Sequence, residues 1–73
     1  METQKRIVKV DGYKFVDVTD LAISLWDTDI ELFELDDEGN EHLIQSGKEL
    51  ERAIQTGMVV VELQVGEALG LIK

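Results

Sequence analysis

Seventy-three residues make a single domain, and a chain this short can bury only a modest core. It contains no cysteine, which excludes disulfides, thiolate zinc sites and thiol nucleophiles together and suits a reducing compartment. A net charge of −9 disfavours direct binding to nucleic acid, because such binders gain affinity by neutralising phosphates.

The chain opens with Met1 to Arg6 and then Ile7-Val8-Lys9-Val10, an apolar run too short and too interrupted for a signal-peptide core. No later run is long enough to span a bilayer, so the expectation is a soluble, cytoplasmic protein that does not engage a membrane. Residues 7–18 predict a hairpin. Asp11-Gly12 suits the positive φ angles of a type I′ turn, and β-branched and aromatic residues flank it. In that register Val10 faces Tyr13 and Val8 faces Phe15.

Thr19 to Thr28 fits two patterns. Thr19 or Asp20 could cap a short helix in which Leu21 and Leu25, and Ala22 and Trp26, stack one turn apart. The alternation of Leu21, Ile23 and Leu25 would equally suit a strand; the helix is favoured. Residues 30–35 predict a strand, Asp36 to Asn40 a turn around Gly39, and residues 41–45 the returning strand. Ser46-Gly47-Lys48-Glu49 is a capping box that starts a helix with Leu50, Ala53 and Ile54 on one face and Gly57 as its stop. Residues 58–65 predict a strand that is apolar on both faces, as an interior strand is. Beyond it, Leu69, Leu71 and Ile72 either pack back or meet a second chain as a homo-oligomer contact. The order, ββαββαβ, predicts an α+β domain: a small mixed sheet of about five strands with one clear helix and one short helix. Tyr13, Phe15, Trp26 and Phe33 are expected in the core, since so small a domain needs its aromatics.

Catalytic chemistry finds little support. His42 is the one histidine, and with no cysteine and with Ser24 and Ser46 in structural settings, no nucleophile–base pair is supported. His42 therefore reads as a surface residue of a hairpin strand. A calcium loop with Gly39 at its sixth position would put Glu34 first and Gln45 twelfth, where a short Asp and a bidentate Glu belong. Gly47-Lys48 lacks the spacing of a phosphate loop. Paired carboxylates abound, but the chain has little material for a substrate cleft. The expectation is no enzyme, no cofactor and no metal.

The acids are unevenly placed: residues 15–47 hold ten acidic residues and neither lysine nor arginine. Such a stretch can be a plain solubilising surface, yet its self-repulsion is what a selected basic partner would explain. The densest part, Glu34, Asp36, Asp37, Glu38 and Glu41, with Glu49 at the helix start, is the candidate partner-binding set.

Within this region Leu35-Asp36-Asp37-Glu38-Gly39-Asn40, then Leu43-Ile44-Gln45-Ser46, then Glu49-Leu50-Glu51-Arg52-Ala53 resembles the acidic motif of PB1 domains, interaction modules of the ubiquitin-like β-grasp fold. Asn40 stands where that motif prefers Asp, and the segment between the first hairpin and Ile30 is shorter than the family's first helix. The resemblance implies a β-grasp-like order and acids that bind a lysine on the first strand of another such domain, with Lys9 roughly at that basic position. The leading expectation is thus a non-enzymatic module that binds a basic protein surface through its acidic hairpin. The alternatives are an acidic decoy of phage or mobile-element type, mimicking nucleic acid, and a small structural or oligomeric subunit using Leu69, Leu71 and Ile72.

Overall fold

A computed structural model describes residues 6–72; the opening Met1 to Lys5 and the final Lys73 of the sequence reading lie outside it. Strands β1 (Ile7–Val10) and β2 (Tyr13–Asp17) form the first hairpin, followed by a 3-10 turn (Thr19–Leu21) and helix α1 (Ala22–Trp26). Strands β3 (Phe33–Leu35) and β4 (Glu41–Leu43) form the second hairpin, and helix α2 (Gly47–Thr56), strand β5 (Met58–Glu62) and helix α3 (Leu63–Ala68) complete the chain. The strands make one sheet in the order β1-β2-β5-β3-β4.

The α+β class is as expected, but the sheet is antiparallel in all four pairings rather than mixed. The last strand enters between the two hairpins, antiparallel to β2 on one side and β3 on the other. Each hairpin is joined to the strand beyond its neighbour by a helical crossover, α1 from β2 to β3 and α2 from β4 to β5. The two helices pack against each other.

The first hairpin has the expected register, with Val10 opposite Tyr13 and Val8 opposite Phe15. Asp11 and Gly12 take φ of 50° and 84°, the left-handed pair that matches the strands' right-handed twist. Between Val18 and Trp26 the helix prevails over the strand. A strand would bury Leu21, Ile23 and Leu25 together, whereas Leu21 and Leu25 meet the core and Ile23 stays exposed. The N-cap position of α1 falls on Leu21 rather than on Thr19 or Asp20. Asp17 Oδ1 instead accepts from the Thr19 backbone N–H and hydroxyl, and the Val59 N–H donates to that hydroxyl at 3.0 Å, tying the turn to β5.

Three other expected bounds change. The strand predicted over residues 30–35 is reduced to Phe33–Leu35, because Asp29 turns the chain at φ 63° and sends Leu32 into the core. The strand predicted over residues 41–45 ends at Leu43: Ile44 dives into the core, and the Gln45 N–H is taken by the cap of α2. The strand predicted over residues 58–65 ends at Glu62, where α3 begins and turns Leu63 and Val65 onto the core from a helix.

Val59, Val60 and Val61 are all fully buried at the centre of the sheet. Burial of each valine stabilises by roughly 1.5–3 kcal/mol, which makes β5 the anchor of the fold. Val59 and Val61 face the helices with Val16, Leu32, Ile44, Leu50, Ala53 and Ile72. Val60 joins Phe15 and Leu35 on the opposite face, where Phe15 and Phe33 meet with ring centroids 6.3 Å apart. Of the expected core aromatics, Trp26 packs against the main cluster, while Tyr13, opposite Val10 next to the turn, is exposed. Gly66 brings α3 onto β2: a Cβ there would stand 2.5 Å from Val16 Cγ2. The helix then closes with paired backbone bonds, Gly70 N–H to Glu67 C=O and Leu71 N–H to Gly66 C=O, which direct Ile72 into the core.

Candidate functional site: an acidic groove beside the second hairpin

The turn from Asp36 to Asn40 is built around one carboxylate. Asp36 Oδ1 accepts from the Glu38 N–H at 2.9 Å and from the Asn40 N–H at 2.8 Å. Its Oδ2 lies 3.4 Å from Asn40 Nδ2 and 3.3 Å from His42 Nε2. Backbone bonds between Asp36 and Asn40 and from the Gly39 N–H to Asp36 C=O complete the turn. Donation from the Asn40 backbone, opposed in part by desolvation and reinforced by His42, Glu38 and the Asn40 side chain, holds the Asp36 carboxyl below its usual range. Asn40 therefore has a role of its own, since its amide can donate to Asp36 where an aspartate could not. The turn also leans toward the first hairpin, with the Cβ position of Gly39 3.8 Å from Val10 Cγ1.

Helix α2 starts beside this hairpin. Ser46 Oγ accepts from the Glu49 N–H at 3.2 Å, and Glu49 Oε1 accepts from the Gln45 N–H at 2.9 Å. The capping box thus forms one residue out of its usual reciprocal register, with Glu49 reaching past Ser46 to the residue before it. That reach holds the Glu49 carboxylate next to β4.

Between α2 and the hairpin lies an open groove of about 550 Å³. Glu34 from β3, Glu41 and His42 from β4, and Glu49 and Arg52 from α2 line it. Of the six acids singled out in the sequence, Glu34, Glu41 and Glu49 therefore line one groove. Asp36 stands next to it through His42, and Asp37 and Glu38 are exposed on the turn. Arg52 was not singled out, although its position one turn after Glu49 puts it on the same side of α2. A second groove of about 480 Å³ adjoins the first at Leu43, Ile44 and Gln45 and is walled by Trp26, Asp29, Ile30 and Glu31. Its Trp26 wall could not be foreseen, because it depends on how α1 packs.

His42 is exposed, and no serine reaches it by a side-chain bond among the described residues. Among the described residues, no three His, Asp or Glu side chains gather as a metal cage, and no helix is long and apolar enough to cross a membrane. Lys9 faces Lys14 across the first hairpin, on β1 at the opposite edge of the sheet from β4. Of the three apolar residues near the C-terminal end, Ile72 is buried in the chain's own core and Leu71 packs against it, which leaves Leu69 exposed.

The fold and the groove define a small antiparallel α+β domain with a carboxylate-lined cleft. Comparison with known proteins gives no match to a family model, to a curated protein or to a solved structure.

Proposed function

We propose that this chain is a non-enzymatic interaction module that binds a basic protein surface through the second hairpin and the start of α2. The observation that carries the reading is that Glu34, Glu41 and Glu49, from three separate elements, line one groove in which Arg52 is the one lysine or arginine. Three acids along one groove set up a negative field that attracts a partner's lysine or arginine side chains and steers the encounter. Asp37 and Glu38, exposed on the turn, extend the field outward, and Asp36 adds its charge while holding the turn in shape. A cysteine-free chain suits a cytoplasmic setting. A PB1-like relationship belongs to the same proposal. Element order up to β5 and the acidic turn support it; the place of β1 and Lys9 at the sheet edge and the antiparallel pairing of β2 with β5 lend it nothing.

The test uses a labelled octalysine peptide and charge reversal away from the structural carboxylate. Asp37→Lys with Glu41→Lys should weaken binding by about tenfold or more at low salt, with the difference shrinking as salt screens the attraction. Glu62→Lys with Glu67→Lys makes the same change in net charge at exposed positions outside the groove and should weaken it much less. Equal losses from both pairs would favour a distributed, nucleic-acid-like decoy. No loss from the first pair would overturn the reading.

A further inference from the structure

Among the described residues strand β4 is an edge strand, and its pairing with β3 shows which of its backbone groups point away from the sheet. Ile44 N–H donates to Leu32 C=O at 2.9 Å, and Asp36 N–H donates to Asn40 C=O at 3.1 Å, so residues 40, 42 and 44 turn their backbone groups toward β3. By antiparallel alternation, Glu41 and Leu43 turn theirs outward, along the open edge. Gln45 has the same parity, but its N–H is already held by Glu49 Oε1, so the free edge ends there. The two grooves meet beside this edge at Leu43 to Gln45. At one end stand Glu34, Glu41 and Glu49 with Arg52; at the other stand Trp26 and Ile30, flanked by Asp29 and Glu31.

We infer that β4 accepts an extended basic segment of a partner protein as a sixth strand, hydrogen-bonded to Glu41 and Leu43, with lysine or arginine side chains in the acidic groove and an apolar side chain beside Trp26 and Ile30. This deepens the proposed function and rests on it. Strand addition takes affinity from the main chain and specificity from the flanking pockets, and here both lie along the same edge. Charge selects the occupant. A chain of net charge −9 with Glu34, Glu41 and Glu49 beside its free edge repels an acidic strand and attracts a basic one.

The experiment presents the whole chain with a capped peptide, Lys-Thr-Lys-Val-Thr-Leu, and with its reversed sequence, because the direction of the added strand is open. Two N-methylated forms of the tighter peptide carry the methyl groups on alternate residues, in one phase or the other. One phase removes the N–H groups that would face β4 and should weaken binding by about tenfold, while the other should leave it close to unchanged. Binding of the unmodified peptide should also slow hydrogen exchange at Glu41 and Leu43. Leu43→Pro deletes an outward N–H and leaves the β3 ladder whole, so it should lose binding to a similar extent. Equal affinity for both methylated forms would overturn strand addition. So would a glycine-spaced lysine peptide of equal charge that binds as tightly without protecting Glu41 and Leu43, and this second result would leave the basic-partner reading standing. If none of the basic peptides binds, both proposals fall.

Discussion

The two hairpins solve the same problem with different chemistry. In the first, the turn is made by backbone conformation: Asp11 and Gly12 adopt positive φ, and the strands pair over four registered positions. In the second, the strands pair over three registered positions and the turn is organised by a charged side chain, with Asp36 collecting two backbone N–H groups, an amide and a histidine. A backbone turn depends little on pH or salt. A carboxylate turn depends on the ionisation of one group, and that group belongs to the same acidic field proposed to recognise a partner. Reversing Asp36 in a binding experiment would therefore disturb the turn as well as the charge, whereas Asp37 and Glu41 can be changed without removing the turn's organising acceptor.

Three experiments separate the two hairpins. The largest effect should come from Gly66→Ala. In an unconstrained helix this change is favourable, but here the new methyl meets Val16 of β2, which is fully buried and cannot yield. Overpacking of this kind costs typically 1–3 kcal/mol, roughly the range expected here from the shift in denaturation midpoint. Hydrogen exchange should accelerate first in the β1–β2 hairpin, and a stabilised protein would show that α3 does not press on β2.

Gly12→Ala comes next. Its Cβ would meet nothing within 4 Å, so the expected loss, about 1–2 kcal/mol, arises from the left-handed backbone alone. The loss should be the same at neutral and acid pH. A pH-dependent loss would mean that side-chain charge also shapes the first turn.

Asp36→Asn should behave in the opposite way. Asparagine keeps an acceptor for the Glu38 and Asn40 N–H groups but removes the charge. Because folding lowers the Asp36 pKa, its ionised form stabilises the folded state fully above the unfolded carboxyl pKa of about 3.9, and this contribution is lost as pH falls through the lowered folded value. The variant should melt below the wild type at pH 7, and the gap should close below about pH 4. A gap that stays constant down to strong acid would show that the carboxylate charge does not hold the turn.

The parts legible in the sequence are those whose chemistry is short in range. Asp11-Gly12 and its flanking residues specify a register, and Ser46 with Glu49 specifies a helix start, because the groups involved lie within a few residues of one another. The end of β5 was illegible for the complementary reason. Val59, Val61, Leu63 and Val65 alternate as a strand would, yet Leu63–Ala68 is helical because Gly66 allows a close seat against Val16, a residue far away in the chain. Gly70 followed by Leu71 was a usable sign of a helix C-terminus that periodicity outweighed.

The candidate site divides in the same way. Its acids stand out in the sequence as a run without lysine or arginine, and charge is a property of the residues themselves. Which of them converge was decided by the tertiary structure. Burial of Val59, Val60 and Val61 draws β5 between the two hairpins and sets α2 beside β4, so that Glu34, Glu41 and Glu49 line one groove while Asp37 and Glu38 remain on the turn. The hydrophobic effect that drives this assembly is non-directional and acts between segments distant in sequence. Local pattern could therefore supply the turn, the cap and the charge, but the lining of one groove by three acids from separate elements required the packed fold.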